Sequence, residues 1–197
     1  NLYLGNTSST KFRQLTAFKW VVQEVLGFDE NGENVFIQGT GEDPRDRHIY
    51  SVNIRKGTVR SLTPKAGSHS ALLSSNGRYL LDIHSALKTP YNVSMVEVAS
   101  GTSKTFYQAP NPLENYDVGT VEFVTLKADN GTPLYGKIVK PRDFDPKKKY
   151  PVLVYVYGGP HDQLVINQWN GATYPWMLAM AQNEQYLIFT LDNRGSE

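Results

Sequence analysis

The sequence predicts short antiparallel strands of propeller-blade type up to about residue 108, then the opening of an α/β domain. Three observations predict this order. A step of 47 residues carries Leu2-Tyr3-Leu4 onto Ile49-Tyr50-Ser51 and Leu15-Thr16 onto Leu62-Thr63. Two Asn-Gly turns, within Asp29–Ile37 and Ser74–Leu81, each lead into an apolar strand, the strongest short-range hairpin signal. Beyond residue 120 the pattern changes to apolar strand, helix and apolar strand, the order of a βαβ unit.

A repeat of about 45 residues holding four short strands has the measure of one propeller blade. A looser third copy runs from Met95–Val98 through Gly101 to Thr105-Phe106. Two blades with pieces of others cannot close a ring, so this half is expected to depend on neighbouring blades. A plain β-sandwich also gives short strands and turns, but the fixed step favours blades. Residues 109–120 read as a connector, since Pro110 and Pro112 oppose regular structure and no period is present.

Val121–Leu126 and Leu134–Lys140 flank Asp129-Asn130-Gly131 and predict a hairpin. Lys147, Lys148 and Lys149 mark a solvated loop. Val152–Tyr157 has no period-two alternation, which predicts a strand buried on both faces of a parallel sheet. From Tyr174 to Gln185 the spacing of Trp176, Met177, Met180 and Ala181 predicts a helix with one buried face. Pro175 suits its first turn. Tyr186–Leu191 is a second continuous apolar run, ended by Asp192-Asn193-Arg194-Gly195. A βαβ unit with buried runs at both ends predicts a parallel sheet with a right-handed crossover.

Composition narrows the classes of partner. Lys plus Arg number 20 against 19 Asp plus Glu in 197 residues, a formal net charge of +1. A nucleic-acid partner is not expected, because such partners call for a basic excess gathered on one face. With no Cys, disulfides and thiolate metal sites are excluded. No apolar run reaches the length of a membrane span, and no cofactor or metal is expected. Asp29, Asn31 and Glu33 share the spacing that opens a calcium loop, but the remaining ligands are missing, so a hairpin turn is the reading. Sequons stand at Asn6, Asn92 and Asn130. Both termini read as cut through structure, so a piece of a longer protein is expected.

The chemistry-bearing feature is Tyr150-Pro-Val-Leu-Val-Tyr-Val-Tyr157-Gly158-Gly159-Pro160. Two glycines let the backbone turn sharply at the end of a strand, where open α/β sheets place ligands and reacting groups. α/β-Hydrolases build part of an oxyanion hole at such a turn. Together with Asn76-Gly-Arg-Tyr79, Leu134-Tyr-Gly-Lys-Ile-Val-Lys-Pro141, Phe144-Asp-Pro-Lys-Lys-Lys-Tyr-Pro151 and Asp192-Asn-Arg-Gly-Ser196, it resembles the prolyl oligopeptidase family of serine peptidases, and within it the dipeptidyl peptidase IV branch. The likeness spans the whole chain in order.

The resemblance implies the last blades of a propeller over residues 1–108, the connector 109–120, and the start of an α/β-hydrolase catalytic domain over 121–197. It places the family's oxyanion-stabilising tyrosine on Tyr157. A phenol O–H held in place donates a hydrogen bond to the charge that develops on the substrate carbonyl oxygen. His161, beside that turn, is a weaker substrate-binding candidate. His48 and His84 read as ordinary blade residues, His69 as a residue tying down a loop, and Arg194 as a partner for a carboxylate at the site's rim. No Gly-x-Ser-x-Gly elbow is present, so the serine, aspartate and histidine are expected beyond Glu197 and the family's amino-end-binding glutamates before Asn1. The resemblance further implies peptide substrates, a homodimeric parent and a periplasmic or secreted location. The chain alone is expected to be inactive. The alternatives are a non-catalytic peptide-binding relative, or an endopeptidase or acylaminoacyl peptidase of the same family.

Overall fold

The computed structural model describes residues 1–159 and 162–196. The chain divides into two compact units, Asn1–Ser85 with Pro90–Ala109, and Ala86–Thr89 with Pro110–Glu197.

The first unit is antiparallel throughout. Strands β1 (Tyr3–Gly5) and β2 (Phe12–Gln14) form a two-stranded ribbon. Strands β3 (Val22–Phe28), β4 (Asn34–Gly39), β5 (His48–Asn53) and β6 (Val59–Ser61) form a four-stranded meander. A second meander holds β7 (Ser68–Leu73), β8 (Tyr79–Ala86), β9 (Thr89–Glu97) and β10 (Ser103–Gln108). Four strands in sequence order per sheet is the pattern of propeller blades.

The 47-residue step survives as register. Tyr3 pairs with Gln14 and Gly5 with Phe12, and in the next sheet Tyr50 pairs with Ser61 and Val52 with Val59. The repeated Leu-Thr has a physical cause. The Thr16 and Thr63 hydroxyls accept from the Leu2 and Ile49 amides at 2.9 and 2.8 Å, while the Leu15 and Leu62 amides donate to the carbonyls of those same residues. Each buried threonine satisfies an amide just outside a ladder that would otherwise be orphaned.

Strand β4 is apolar on both faces because both are covered. Phe36 packs with Ile49, Leu62, Leu80 and Val96 across the two meanders. Val35 and Ile37, one residue to either side and so on the opposite face, pack with Val52, Trp20 and Leu2. The Asn-Gly turns lie between β3 and β4 and between β7 and β8. Asp29 accepts from the Glu33 and Asn34 amides at 2.7 and 3.1 Å, so its carboxylate serves the hairpin.

The two meanders also meet through backbone and imidazole. Arg47 and Ser68 form a parallel bridge, with the Arg47 amide donating to Gly67 O and the His69 amide to Arg47 O, each at 3.0 Å. Beside it His48, His69 and His84 form a row, with ring centroids 5.6 and 4.3 Å apart. The expectation that His69 ties down a loop matches its geometry, since its Nε2 lies 2.8 Å from Lys65 O. The row itself was not expected.

The second unit holds β11 (Thr120–Lys127), β12 (Pro133–Lys140), β13 (Val152–Val154), α1 (Pro175–Asn183) and β14 (Leu187–Leu191). The sheet order is β11-β12-β14-β13. Strand β13 runs parallel to β14, with α1 between them in sequence, but β12 pairs antiparallel to both β11 and β14. The expected parallel sheet is therefore mixed, because the Asp129–Gly131 hairpin delivers β12 antiparallel to β11. Its core is Val121, Val139, Ile188 and the α1 residues Met177, Leu178 and Ala181.

Two expectations are corrected here. Strand β13 ends at Val154 rather than Tyr157, and it lies at the sheet edge with Val152 56 % and Val154 61 % exposed. Leu153 and Tyr155, two positions apart and so on one face, pack against the core, so the apolar run is not covered on both faces within the described residues. On α1 the buried face is Met177, Leu178 and Ala181, whereas Trp176 is 47 % exposed and rests edge-on against Tyr155. A turn of 100° per residue carries position 176 to the margin of the face centred on 177 and 181.

Candidate active site

Parallel pairing of β13 with β14 aligns their carboxyl ends, Val154 opposite Phe189, and the Tyr155 amide extends the ladder to Phe189 O at 2.8 Å. The segments that follow both strands therefore leave from one edge of the sheet, the edge where α/β proteins collect reacting groups. Gly158 has φ +71°, a conformation that side-chain-bearing residues rarely adopt. Tyr157 is 58 % exposed. Its ring lies over Gly159, where an added Cβ would sit 2.6 Å from Tyr157 Cε1. A glycine at 159 is thus what lets the phenol fold over its own turn. Pro160 and the candidate His161 lie outside the described residues.

Past that turn, Asp192 at the end of β14 accepts from two successive amides, Leu164 at 3.0 Å on Oδ1 and Val165 at 2.9 Å on Oδ2. Lys137, in the middle of β12 and only 4 % exposed, donates from Nζ to Leu164 O at 2.8 Å and Gly171 O at 2.6 Å. Burial drives the lysine down to about 8, against the opposing charge of Asp192. Burial raises the Asp192 carboxyl, while its two amide donors and Lys137 pull the other way. Each group disfavours its own charge and favours its partner's.

Lys137 also grips an unusual piece of backbone. In the tight turn Trp169–Ala172, Asn170, Gly171 and Ala172 have φ of 51°, 58° and 54°. Consecutive left-handed residues, two of them carrying a Cβ, are costly and persist only where the surroundings over-determine them. Arg194 is exposed and forms no ion pair among the described residues.

Sequence reasoning placed Tyr157 at this edge but missed Lys137 and Asp192 as a pair. One signal existed, a lysine inside the otherwise apolar Leu134–Val139. It could not say what the lysine reached, because Leu164 and Gly171 approach it only through the tertiary fold.

Residues 1–91 match the family model of the dipeptidyl peptidase IV N-terminal region. Dipeptidyl peptidase 8 of Homo sapiens is 32 % identical over 200 residues, covering 92 % of this chain and 22 % of that protein. Dipeptidyl peptidase 4 of Trichophyton equinum is 28 % identical over 202 residues, covering all of this chain and 26 % of that protein. The crystal structure of Porphyromonas gingivalis dipeptidyl peptidase 4 superposes with a TM-score of 0.87 at 30 % identity, over 98 % of this chain and 27 % of that one. The chain thus spans about a quarter of the length of the relatives it matches.

Proposed function

As the chain belongs with the dipeptidyl peptidase IV-type peptidases, we propose that its parent is a serine exopeptidase releasing amino-terminal dipeptides with Pro or Ala in second position. Residues 121–197 are read as the start of its α/β-hydrolase domain and residues 1–108 as its last blades. The observation that carries this is Tyr157 in the segment leaving the carboxyl end of parallel strand β13, three residues past Val154, exposed and beside a glycine turn. In this reading a serine supplied by the rest of the parent adds to the scissile carbonyl, and its proton passes to a histidine. The carbonyl oxygen becomes an oxyanion that accepts from the Tyr157 hydroxyl. Collapse expels the peptide amine, which takes the proton from the histidine, and water then hydrolyses the ester.

A secreted or periplasmic location and a homodimeric parent belong to the same proposal. The chain by itself lacks a nucleophile elbow and is inactive under this reading. The test is Tyr157→Phe in the full-length protein with a Gly-Pro chromogenic substrate. A kcat reduced about 10²–10³-fold, with folding intact, is expected from the loss of one oxyanion donor. Unchanged turnover removes Tyr157 from that role.

A further inference from the structure

The segment bearing Tyr157 is held at both ends by groups the proposed chemistry does not use. Upstream, the Tyr155 amide is fixed to Phe189 O on β14. Downstream, Leu164 and Val165 donate to Asp192, the residue immediately after that same strand. Between the anchors lie residues 156–163, with Tyr157 and the Gly158-Gly159 turn at their start and Pro160 and His161 outside the described residues. The downstream anchor therefore limits where the phenol can go.

That anchor is itself fastened from a third strand. Lys137 on β12 binds the carbonyl of Leu164, whose amide Asp192 already holds, so both sides of one residue are captured by opposite charges. The same ammonium group reaches Gly171 O in the left-handed run Asn170–Ala172, which leads into α1. A buried lysine spent on two main-chain carbonyls, one in strained backbone, is a costly arrangement where an apolar residue would pack more cheaply. Strain that is over-determined in this way marks a place where geometry matters.

We propose that Lys137 and Asp192 are positioning residues, a latch that fixes the downstream end of the Tyr157 loop and thereby aims its hydroxyl at the oxyanion. The latch rests on the reading of Tyr157 given above for its consequence in catalysis, while its hold on the loop rests on the hydrogen bonds alone. Neither residue touches substrate. They act through the main chain of Leu164, Val165 and Gly171.

Two arms test it in the full-length protein. Amide exchange is measured first, in wild type, Lys137→Met and the isosteric Asp192→Asn. The Leu164 and Val165 amides lose protection at least about tenfold in both variants, with Val139 and Ile188 unchanged, because each variant removes charged bonds that local opening of this segment must otherwise break. Retained protection overturns the latch. The second arm is kinetic. With a Gly-Pro chromogenic substrate, each variant loses about tenfold or more in kcat with KM within about twofold. Adding Tyr157→Phe to Lys137→Met then costs no more than about threefold further, since a misaimed hydroxyl has little left to lose. Fully multiplicative losses overturn the positioning role. Where Lys137→Met fails to fold, Asp192→Asn carries both arms. A wild type inactive on dipeptide substrates removes the functional reading, and the exchange arm then decides the latch by itself.

Discussion

His69 Nδ1 lies 2.9 Å from Asp82 Oδ1 and 3.0 Å from Oδ2, both residues buried, across the β7–β8 ladder. His69 pairs directly with His84 in that ladder, which makes Asp82 its diagonal neighbour on the same face and stacks the two imidazoles. With Nε2 against Lys65 O, both ring nitrogens face acceptors.

Removing one partner of such a buried pair leaves the other uncompensated. Asp82→Ala is therefore expected to lower the stability of the first unit by about 3–5 kcal/mol, read from urea unfolding. A loss below about 1 kcal/mol would show that the pair contributes little.

The flanking histidines give opposite pH dependences. Burial, with the neighbouring His69 charge, lowers His84 below its ordinary 6.5, so the folded state favours its neutral form. Its contribution is complete above about pH 6.5 and is lost as pH falls below that value. The Asp46 carboxylate raises His48 above 6.5, so its contribution is complete below 6.5 and is lost as pH rises through the folded value. Unfolding midpoints of His84→Gln should fall less on acidification than those of wild type, and those of His48→Gln should fall more. Parallel curves for all three proteins would contradict both signs.

Gly39 ends β4 beneath the Phe18–Trp20–Tyr50 ring stack. A Cβ there would stand 2.4 Å from Trp20 Cζ3 and 2.7 Å from Val21 O. Backbone cannot swing away as a side chain does, so Gly39→Ala should cost about 1–3 kcal/mol. Trp20 fluorescence provides a direct monitor, and an unaltered spectrum with unaltered stability would refute the close approach.

In the second unit Ile188 is fully buried between Val139 and α1. Truncation to Val should cost about 0.5–1.5 kcal/mol and to Ala about 2–5 kcal/mol, measured by thermal unfolding. Equal small effects would indicate that the sheet and helix separate readily at this point.

Much of the first unit was legible because its signals are local. Asn31-Gly32 and Asn76-Gly77 specify turns through backbone chemistry alone, and the Leu-Thr repeat names the threonine that closes each ladder. In the second unit the order strand, helix, strand was readable, as was the glycine turn after Tyr157. The faces were harder. The run Val152–Tyr157 is equally apolar whether covered once or twice, and Trp176 differs from Met177 in burial by a single helical step. The imidazole row was invisible, since His48, His69 and His84 share no short spacing and meet only where one meander packs on the next.

By itself, then, the order of residues determined where the chain turns, where most strands and the helix lie, and which tyrosine immediately precedes the paired glycines. Those outcomes follow from φ preferences and periodicity over a few residues. Only the tertiary structure decided that β12 runs against β14, that β13 sits at an edge, and that Lys137 and Asp192 grip one loop from opposite charges. Such relationships join residues far apart in sequence, and their energies come from desolvation and hydrogen bonding that exist only once distant strands are brought together.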